Sequence, residues 1–233
     1  MTSLTTMSLS DAGRKDPSML GASGYARTPL DFYPTPRPAF DALIEALGDD
    51  FAPFFAWEPF AGNGAIATPL KPFVQEVLST DIHRYEGFEV DAVEDFFKLT
   101  PADLDRLGAL KARPETIVDE KGEERKPTPL PPRPDAIITN PPYGKDAERA
   151  ARHALSLMEA DQGLVAFLCR HEWDAARSRK DLFDHPAFTA KVTLRHRPRW
   201  IAGTKGAPRF AYAWYVWDWS KPVSAKPELL YAG

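Results

Sequence analysis

The tetrapeptide Asn140-Pro141-Pro142-Tyr143 directly follows a short apolar run and combines residue types that could hold a planar amine. The run 136–138 predicts a buried parallel strand. Because proline has no N–H to donate, two in succession end a strand ladder and send the chain into a stiff, extended loop. The Asn140 side-chain oxygen and the Pro141 carbonyl could accept both hydrogens of an amino group. Tyr143 could stack on a ring, a contact worth about 1–3 kcal/mol. A Pro-rich turn with a surface tyrosine is the alternative interpretation.

In this position the tetrapeptide resembles the catalytic motif of amino-methyltransferases that use S-adenosylmethionine (SAM). The resemblance implies that Asn140, Pro141, Pro142 and Tyr143 are catalytic residues. Asn140 and Pro141 would hold the amine, and Tyr143 would stack on the base. An aromatic amine is a poor nucleophile because its lone pair is delocalised into the ring. A loop that aims this lone pair at an electrophile would therefore serve the chemistry.

A glycine-containing loop follows the predicted strand 54–57 and has the sequence Glu58-Pro59-Phe60-Ala61-Gly62-Asn63-Gly64. Glycines at alternate positions let the backbone turn tightly and approach a ligand closely. The loop lacks the Gly-Lys-Ser/Thr ending of a phosphate-binding loop and the third glycine of a dinucleotide fingerprint. An acid that closes the strand before Gly-x-Gly resembles the SAM loop of class I methyltransferases. The implied cofactor-binding residues here are Glu58, Phe60, Gly62 and Gly64.

Asp81 closes the next predicted strand, 77–80, about 20 residues beyond the glycines, where an acid commonly holds a ribose. A carboxylate can accept hydrogen bonds from two adjacent hydroxyl groups, so the residue type suits that task. We therefore predict that Asp81 binds the ribose of the cofactor. N-capping of the turn that follows is a compatible second role.

Two further segments resemble cofactor-contacting motifs of the same family. Residues 31–36 resemble the motif that closes over the methionine part of SAM, which implies contacts from Tyr33, Pro34 and Thr35. Thr35 could instead simply cap the following helix. After the weakly alternating strand 88–93, the resemblance places Asp95 near the adenine amino group and Phe96 against the adenine face. In another register Glu94 or Asp91 would take the place of Asp95, and Phe97 is assigned to the core.

Charge is distributed unevenly along the chain. The formal net charge is −4, but residues 1–139 contain 14 Lys and Arg against 23 Asp and Glu, whereas residues 140–233 contain 15 against 10. A local basic surface matters more for phosphate binding than the net charge. We predict a nucleic acid partner, most simply DNA, although a solvated loop with ordinary charge scatter is the alternative. The predicted substrate-binding residues are Arg195, Arg197, Arg199, Lys205, Arg209 and Phe210. Tyr212 is an equally good candidate for the aromatic contact assigned to Phe210.

The order of predicted elements indicates an α/β protein with the class I SAM-methyltransferase, Rossmann-like fold that the resemblance implies. We expect a mostly parallel seven-stranded sheet with an antiparallel last strand and helices on both faces. The domain is expected over residues 29–220, between a flexible tail at 1–28 and a C-terminal tail at 221–233. Residues 99–134 read as a charged, Pro-rich, solvated insertion with a hairpin at Lys121-Gly122. Predicted helices are one that ends at Gly48 and those over 65–72, 102–111, 147–158 and 174–183.

Composition limits the class of protein further. The single cysteine, Cys169, excludes internal disulfides and a cysteine-rich zinc site, so we predict a buried thiol and no metal. No apolar run is long enough to span a membrane, and the N-terminus lacks the layout of a signal peptide. A cytoplasmic location is therefore expected. The aromatic-rich segment 209–219 is assigned mainly to packing.

The cofactor motif precedes the catalytic motif, an order that resembles the γ-type DNA amino-methyltransferases, particularly small phage-like adenine enzymes. This resemblance implies methyl transfer to N6 of adenine in DNA by base flipping, in a monomer or homodimer. Asparagine rather than serine at position 140 favours adenine over cytosine in that family. RNA adenine, DNA N4-cytosine and protein glutamine N5 remain alternative substrates, and an inactive SAM- or nucleic-acid-binding module is the non-enzymatic alternative. The chain has no room for the separate target-recognition domain of restriction-type relatives.

Overall fold

The computed structural model describes residues 33–113, 116–118, 121–200, 207–223 and 226–233. The tail predicted over 1–28 and the predicted substrate-binding residue Lys205 lie outside these ranges. Within them the chain forms one eight-stranded sheet with helices on both faces, together with a separate two-stranded hairpin. The predicted α/β class is confirmed.

The helices are α1 (Arg37–Leu47), α2 (Ala67–Leu70), α3 (Asp103–Ala109), α4 (Lys145–Met158) and α5 (Lys180–Phe183). The strands are β1 (Phe55–Glu58), β2 (Glu76–Asp81), β3 (Ala92–Val93), β4 (Ile117–Val118), β5 (Glu124–Arg125), β6 (Ala136–Thr139), β7 (Leu164–Arg170), β8 (Phe188–Leu194), β9 (Tyr212–Asp218) and β10 (Glu228–Ala232). Short 3₁₀ turns cover Gly48–Asp50, Lys71–Phe73, Phe96–Lys98, Trp173–Ala175 and Arg177–Arg179.

The large sheet has the strand order β10-β8-β9-β7-β6-β1-β2-β3. All neighbouring strands are parallel except β9, which is antiparallel to both β7 and β8. The central strands β1 and β6 are buried along their whole length, as expected for a sheet covered on both faces. In β1, Phe55 and Trp57 join the core cluster with α3 and α4, whereas Ala56 faces α1 and α2.

Helix α1 begins and ends where its sequence indicates. Pro38 occupies the first turn, where a missing N–H costs nothing, and Gly48 ends the helix with a φ of +48°. The indole N–H of Trp214, on β9, donates to the Ala39 carbonyl at 2.7 Å and fixes α1 to the sheet.

The prediction of seven strands is wrong by one, because residues 228–232 form β10 instead of belonging to a tail. β10 pairs in parallel with β8, so the last strand is parallel and the antiparallel strand, β9, lies inside the sheet. Leu230 and Ala232 turn inward while Leu229 and Tyr231 are exposed, which is the alternation of an edge strand.

Two predicted helices are shorter than expected. Residues 174–183 form two 3₁₀ turns and the four-residue α5, and residues 65–72 form α2 followed by a 3₁₀ turn. Pro69 and Pro72 lie in the second segment, and their missing N–H groups limit how far a regular helix can extend. The third strand is reduced to Ala92–Val93. The other helices lie within two residues of their predicted bounds.

The prediction of a solvated insertion over 99–134 is wrong for α3, because Leu104 and Leu107 of this helix are fully buried in the core. The rest of the insertion is anchored on α3. A Cβ atom on Gly108 would lie 1.9 Å from the Pro132 carbonyl oxygen, so the Pro-rich segment packs directly on this helix. Arg133 also makes two hydrogen bonds to the Asp105 carboxylate, at 2.6 and 2.8 Å. The predicted hairpin is confirmed as β4–β5, with Gly122 at a φ of +81°.

The aromatic residues of β9 that follow Tyr212 are packing residues, in line with the prediction that most of them pack in the interior. All seven residues of this strand are buried, and the indole N–H of Trp217 donates to the Leu182 carbonyl. Cys169 is a buried free thiol, and burial raises its pKa. Among the helices of the described ranges, none is long and apolar enough to cross a membrane.

Candidate functional site at the carboxyl edge of the sheet

Strand directions bring the predicted site residues to one edge of the sheet, which we call the rim. The parallel strands β1, β2, β3, β6 and β7 all end there. β9 begins there, with Tyr212 opposite Arg170, and β8 and β10 end beside it. The strand-end residues that define the rim are Glu58, Asp81, Val93, Thr139, Arg170, Leu194, Tyr212 and Ala232.

The glycine loop forms a tight turn between β1 and α2. Gly62 and Gly64 have φ values of +53° and +75°, which L side chains rarely adopt. The Gly64 N–H donates to the Ala61 carbonyl at 2.7 Å. A Cβ atom on Gly64 would lie 2.3 Å from the Phe88 ring, so no side chain fits at this position. The spacing that predicted a ligand-approaching loop therefore corresponds to a real backbone requirement.

Glu58 and Asp81 lie under this loop and hold its backbone. The Glu58 carboxylate accepts from the Ala67 N–H, at the start of α2, at 2.6 Å. The Asp81 carboxylate accepts from the N–H groups of Gly62 and His83, at 2.8 and 3.0 Å. Both acids are buried, with 2% and 7% of their surface exposed.

Burial raises the pKa of Glu58 well above its usual value. The hydrogen bond from Ala67 lowers it in part, and the Asp81 carboxylate raises it further. Burial also raises the pKa of Asp81, against the lowering effect of its backbone partners, foremost Gly62. Two buried acids whose ionisation is penalised form a local site that favours a cation.

The raised pKa of Glu58 predicts a pH-dependent stability. The folded protein holds a proton on Glu58 that the unfolded chain releases above about pH 4.5, so this contribution to stability is lost as pH rises towards the folded pKa. Glu58→Gln keeps an acceptor for Ala67 but carries no charge. We expect the free energy of unfolding of the variant to rise relative to that of the wild type as pH increases, and the variant to be the more stable of the two at pH 7.

Thermal unfolding of both proteins across pH would measure this difference in free energy. Glu86→Gln, at an exposed position in the β2–β3 connection, is the matched control, because it makes the same substitution outside the interior of the protein. Parallel pH profiles for the wild type and Glu58→Gln would contradict the prediction.

The residues after β3 differ from the predicted arrangement in one respect. Asp95 caps the 3₁₀ turn by accepting from the Phe97 N–H at 3.2 Å, and it remains partly exposed. The burial of the two phenylalanines is the reverse of the prediction. Phe96 is only 2% exposed and packs edge-on against Trp57, whereas Phe97 is half-buried beneath the Arg149 guanidinium. Phe60 contacts the Phe96 ring at 4.9 Å.

The end of β6 meets the segment that leads into α1. The side-chain Nδ2 of Asn140 donates to the Tyr33 carbonyl at 3.3 Å, and the rings of Tyr33 and Tyr143 lie 5.8 Å apart. Pro34 is half-buried, and Thr35 is 7% exposed and makes no side-chain cap to the helix. The structure thus brings the predicted segment 33–35 and the predicted catalytic loop together.

Tyr143 belongs to a group of four rings at the rim, which we call the aromatic cluster (Tyr33, Tyr143, Trp200 and Tyr212). The Tyr143 ring lies 6.1 Å from Trp200 and 6.5 Å from Tyr212, and the last two are 4.9 Å apart. Burial raises the pKa of Tyr143 well above its usual value, and the neighbouring Tyr212 adds to the effect. The Tyr143 hydroxyl is therefore neutral at all physiological pH values.

Three buried polar atoms at this cluster make no hydrogen bond of normal geometry within the described part of the chain, although Tyr212 and Asn140 lie close enough to the Tyr143 hydroxyl to shift its pKa. The three atoms are the side-chain oxygen of Asn140, the hydroxyl of Tyr143 and the indole nitrogen of Trp200. Leaving a buried polar group unpaired costs about 1–3 kcal/mol, so such groups need an explanation. A ligand that supplies the missing hydrogen-bond partners is an explanation that fits the position of these atoms at the rim.

The far side of the rim is basic. Arg170 lies over the Phe210 ring at 3.5 Å, and both side chains are half-buried. Arg195, Arg197, Arg199 and Arg209 are exposed in the segments that join β8 to β9. The guanidinium of Arg197 donates to the Pro208 carbonyl at 3.4 Å, which ties the two ends of this connection together.

Sequence reasoning missed Arg170 and Trp200 as site residues. Arg170 reaches the rim as the last residue of β7, which runs parallel to β6, whereas Trp200 reaches it only through the connection between the antiparallel strands β8 and β9, which no local pattern specifies. The sequence did indicate a place at the rim for Arg170, because this residue directly follows an apolar run, as Asn140 does. Trp200 carried no such signal beyond its place in the basic segment.

No protein-family model matches the chain, and no curated protein sequence matches it. A number of solved structures are similar, among them the following two. The proposed RNA methyltransferase PH1948 from Pyrococcus horikoshii is 15% identical with a TM-score of 0.52, over 84% of this chain and 90% of that one. DrdV, from its complex with DNA, is 15% identical with a TM-score of 0.50, over 86% of this chain but only 28% of DrdV. This likeness shows the fold: the chain has the class I SAM-methyltransferase fold.

Proposed function

We propose that the chain is a SAM-dependent methyltransferase that methylates the N6 amino group of adenine in DNA after the base has been flipped out. The Asn140 side-chain oxygen carries the proposal. It is a buried acceptor with no partner among the described residues, and it stands on the strand adjacent to the one that ends in the glycine loop. An acceptor beside a cofactor loop is what an amine substrate requires.

The residues present fit SAM. The glycine loop turns tightly at Gly62 and Gly64, which both have a positive φ, and the paired acids Glu58 and Asp81 favour a cation such as the SAM ammonium group. Glu58 and the loop backbone would hold the amino-acid end, and Asp81 the ribose. Asp95 and the half-buried rings of Phe60 and Phe97 would surround the adenine, while Phe96, which the resemblance places against the adenine face, packs against both rings in the core. SAM would supply a methyl group on a sulfonium, so that the new N–C bond replaces an S–C bond and the amine proton leaves to water.

The catalytic loop would then orient the acceptor amine. The Asn140 oxygen and the Pro141 carbonyl would accept its two hydrogens, and Pro142 would keep the loop stiff. Tyr143 would stack on the base. No general base is needed, because the amine loses its proton only after it has become cationic.

The exposed arginines of the rim suit the phosphates of DNA better than they suit an acidic surface on a protein substrate. Four arginines between β8 and β9 are exposed on the side of the rim opposite the acids. A base inside a duplex cannot reach a strand-end pocket, so extrusion at a cost of a few kcal/mol is part of the proposal. Phosphate contacts from the arginines would help to offset that cost.

The decisive experiment offers tritiated SAM with unmethylated genomic DNA, RNA and protein in separate reactions. We expect label in DNA, and N6-methyladenine after hydrolysis and mass spectrometry. If the product is N4-methylcytosine, the substrate is cytosine in DNA and not adenine. If the label appears in RNA or protein, the substrate is RNA or protein and not DNA. Label in none of them would indicate an inactive binding module.

The basic side predicts the salt dependence of DNA binding. Replacing Arg195, Arg197 or Arg209 with alanine, one at a time, removes one proposed phosphate contact. Each variant should lower the slope of log Kd against log salt by about 0.9 on duplex DNA and weaken binding to all sequences alike. Fluorescence anisotropy at several salt concentrations would measure the slope.

Lys71→Ala is the control for this series. Lys71 is an exposed cation in the turn that leads into the amino end of β2, at the sheet edge opposite the rim. Its removal should leave the slope unchanged. Equal slopes for the wild type and all three arginine variants would exclude this segment from the DNA interface.

A further inference from the structure

Trp200 places a hydrogen-bond donor in the aromatic cluster without giving it a well-placed acceptor. Its indole nitrogen is buried and makes no hydrogen bond of normal geometry in the described ranges, although it is close enough to the Tyr212 hydroxyl to lower the pKa of that group. The Trp200 ring lies between Tyr143, at 6.1 Å, and Tyr212, at 4.9 Å. The Asn140 oxygen, three residues before Tyr143, is the unpaired acceptor of the same cluster. The two groups have opposite hydrogen-bonding character and are not bonded to each other.

From this pairing we infer that Trp200 is a specificity-determining residue: its indole N–H donates to the ring nitrogen next to the amino group that Asn140 holds. The inference rests on the proposed function and identifies the chemical edge that the site reads. That edge is an amidine, N=C–NH2, which presents one donor group and one adjacent acceptor. In adenine the acceptor is N1, on the Watson–Crick edge.

The composition of the cluster favours such an edge over an isolated amine. A lone amine would satisfy the Asn140 oxygen and leave the Trp200 donor unpaired. An amidine edge satisfies both at once, and its flat ring suits the aromatic residues around it. A site built to pair with a substrate acceptor should discriminate against an analogue that lacks it, because its own donor then stays buried and unpaired.

The test compares single-turnover methylation of three oligonucleotides that carry the target site mapped for the wild type. They contain adenine, 1-deazaadenine or 7-deazaadenine at the methylated position. Each deaza base replaces one ring nitrogen beside the amine with C–H. We expect the wild type to prefer adenine to 1-deazaadenine by about five- to tenfold, the size of one neutral hydrogen bond.

Trp200→Phe removes the donor and keeps an aromatic ring. It should lose this preference while its discrimination against 7-deazaadenine stays that of the wild type. The readout is the change of this rate ratio between the wild type and the variant, so partial misfolding cancels. The easier opening of the 1-deazaadenine·thymine pair, which lacks one hydrogen bond, cancels for the same reason. Trp219→Phe is the matched control. Its backbone N–H bonds to Gly163, before β7 begins, so it lies at the edge opposite the rim, and it should keep the wild-type ratio.

The outcomes separate the two proposals. Adenine transfer with an unchanged 1-deazaadenine ratio in Trp200→Phe would overturn the role of Trp200 and leave the proposed function standing. A Trp200-dependent preference against 7-deazaadenine would overturn the assignment to the Watson–Crick edge. Failure of the wild type to methylate adenine in any DNA would overturn both.

Discussion

Asn140→Ala should reduce methyl transfer by about 10²–10³-fold while the affinity for SAM changes little. Alanine removes the buried acceptor that would hold the amine, and one preorganised hydrogen-bond partner of a transition state is worth about this much in rate. The cofactor residues are on other strands, since Glu58 ends β1 and Asp81 ends β2. Stopped single-turnover assays would give the rate, and isothermal titration calorimetry would give the SAM affinity.

The Asn140 side chain also donates to the Tyr33 carbonyl, so its loss could loosen the segment before α1. Circular dichroism and thermal unfolding would reveal such a change separately from the rate. Gln75→Ala removes another side-chain amide, at the opposite edge of the sheet, and should leave both rate and affinity as they are in the wild type. Equal losses of methyl transfer and of SAM binding in Asn140→Ala would contradict the proposal that Asn140 binds the amine while Glu58 and Asp81 bind the cofactor.

The part of the site that could be predicted is the part that local sequence specifies. Glu58, Asp81 and Asn140 each close an apolar run, and parallel strands bring their carboxyl ends to one edge. The two prolines after Asn140 fix where β6 ends. Their placement at the rim therefore follows from residue types and short spacings alone, while their roles in catalysis and cofactor binding stay predictions.

The rest of the site depends on contacts between distant residues. Trp200 and Tyr212 meet Tyr143 because β9 inserts between β7 and β8 in the opposite direction. The burial of Phe96 and Phe97 depends on a single 3₁₀ turn, in which adjacent residues face different directions and propensity does not distinguish them. A pattern of residue types cannot resolve either feature.

The fold itself was predictable up to its last strand. The alternation of apolar runs and helical spacing predicts a doubly covered parallel sheet, and that sheet is present. β10 was missed because Pro222 and Pro227 precede it and only five residues remain to show a pattern. This strand is stabilised by its pairing with β8 and by the inward packing of Leu230 and Ala232. Both are tertiary interactions, which the local sequence does not reveal.

Gly64→Ala should weaken SAM binding strongly, by about tenfold or more, and lower the stability of the fold. Two costs combine at this position. The φ of +75° is strained for any L side chain, at about 1 kcal/mol, and the new Cβ would lie 2.3 Å from the Phe88 ring. Either the glycine loop or the β2–β3 connection that carries Phe88 must move. The loop supplies the backbone that the cofactor would contact, so calorimetric titration with SAM is the relevant measurement.

Gly87→Ala isolates the first of these costs. Gly87 has a φ of +82°, but a Cβ atom there would meet nothing within 4 Å, so this variant bears the backbone strain without the collision. It should be mildly destabilised and bind SAM as the wild type does. The double variant Gly64→Ala, Phe88→Ala removes the collision and should recover part of the lost SAM affinity. The part that is not recovered corresponds to the backbone strain that remains at residue 64. If Gly64→Ala behaves like Gly87→Ala in both stability and SAM affinity, the close approach of Phe88 does not shape the glycine loop and the cofactor is held elsewhere.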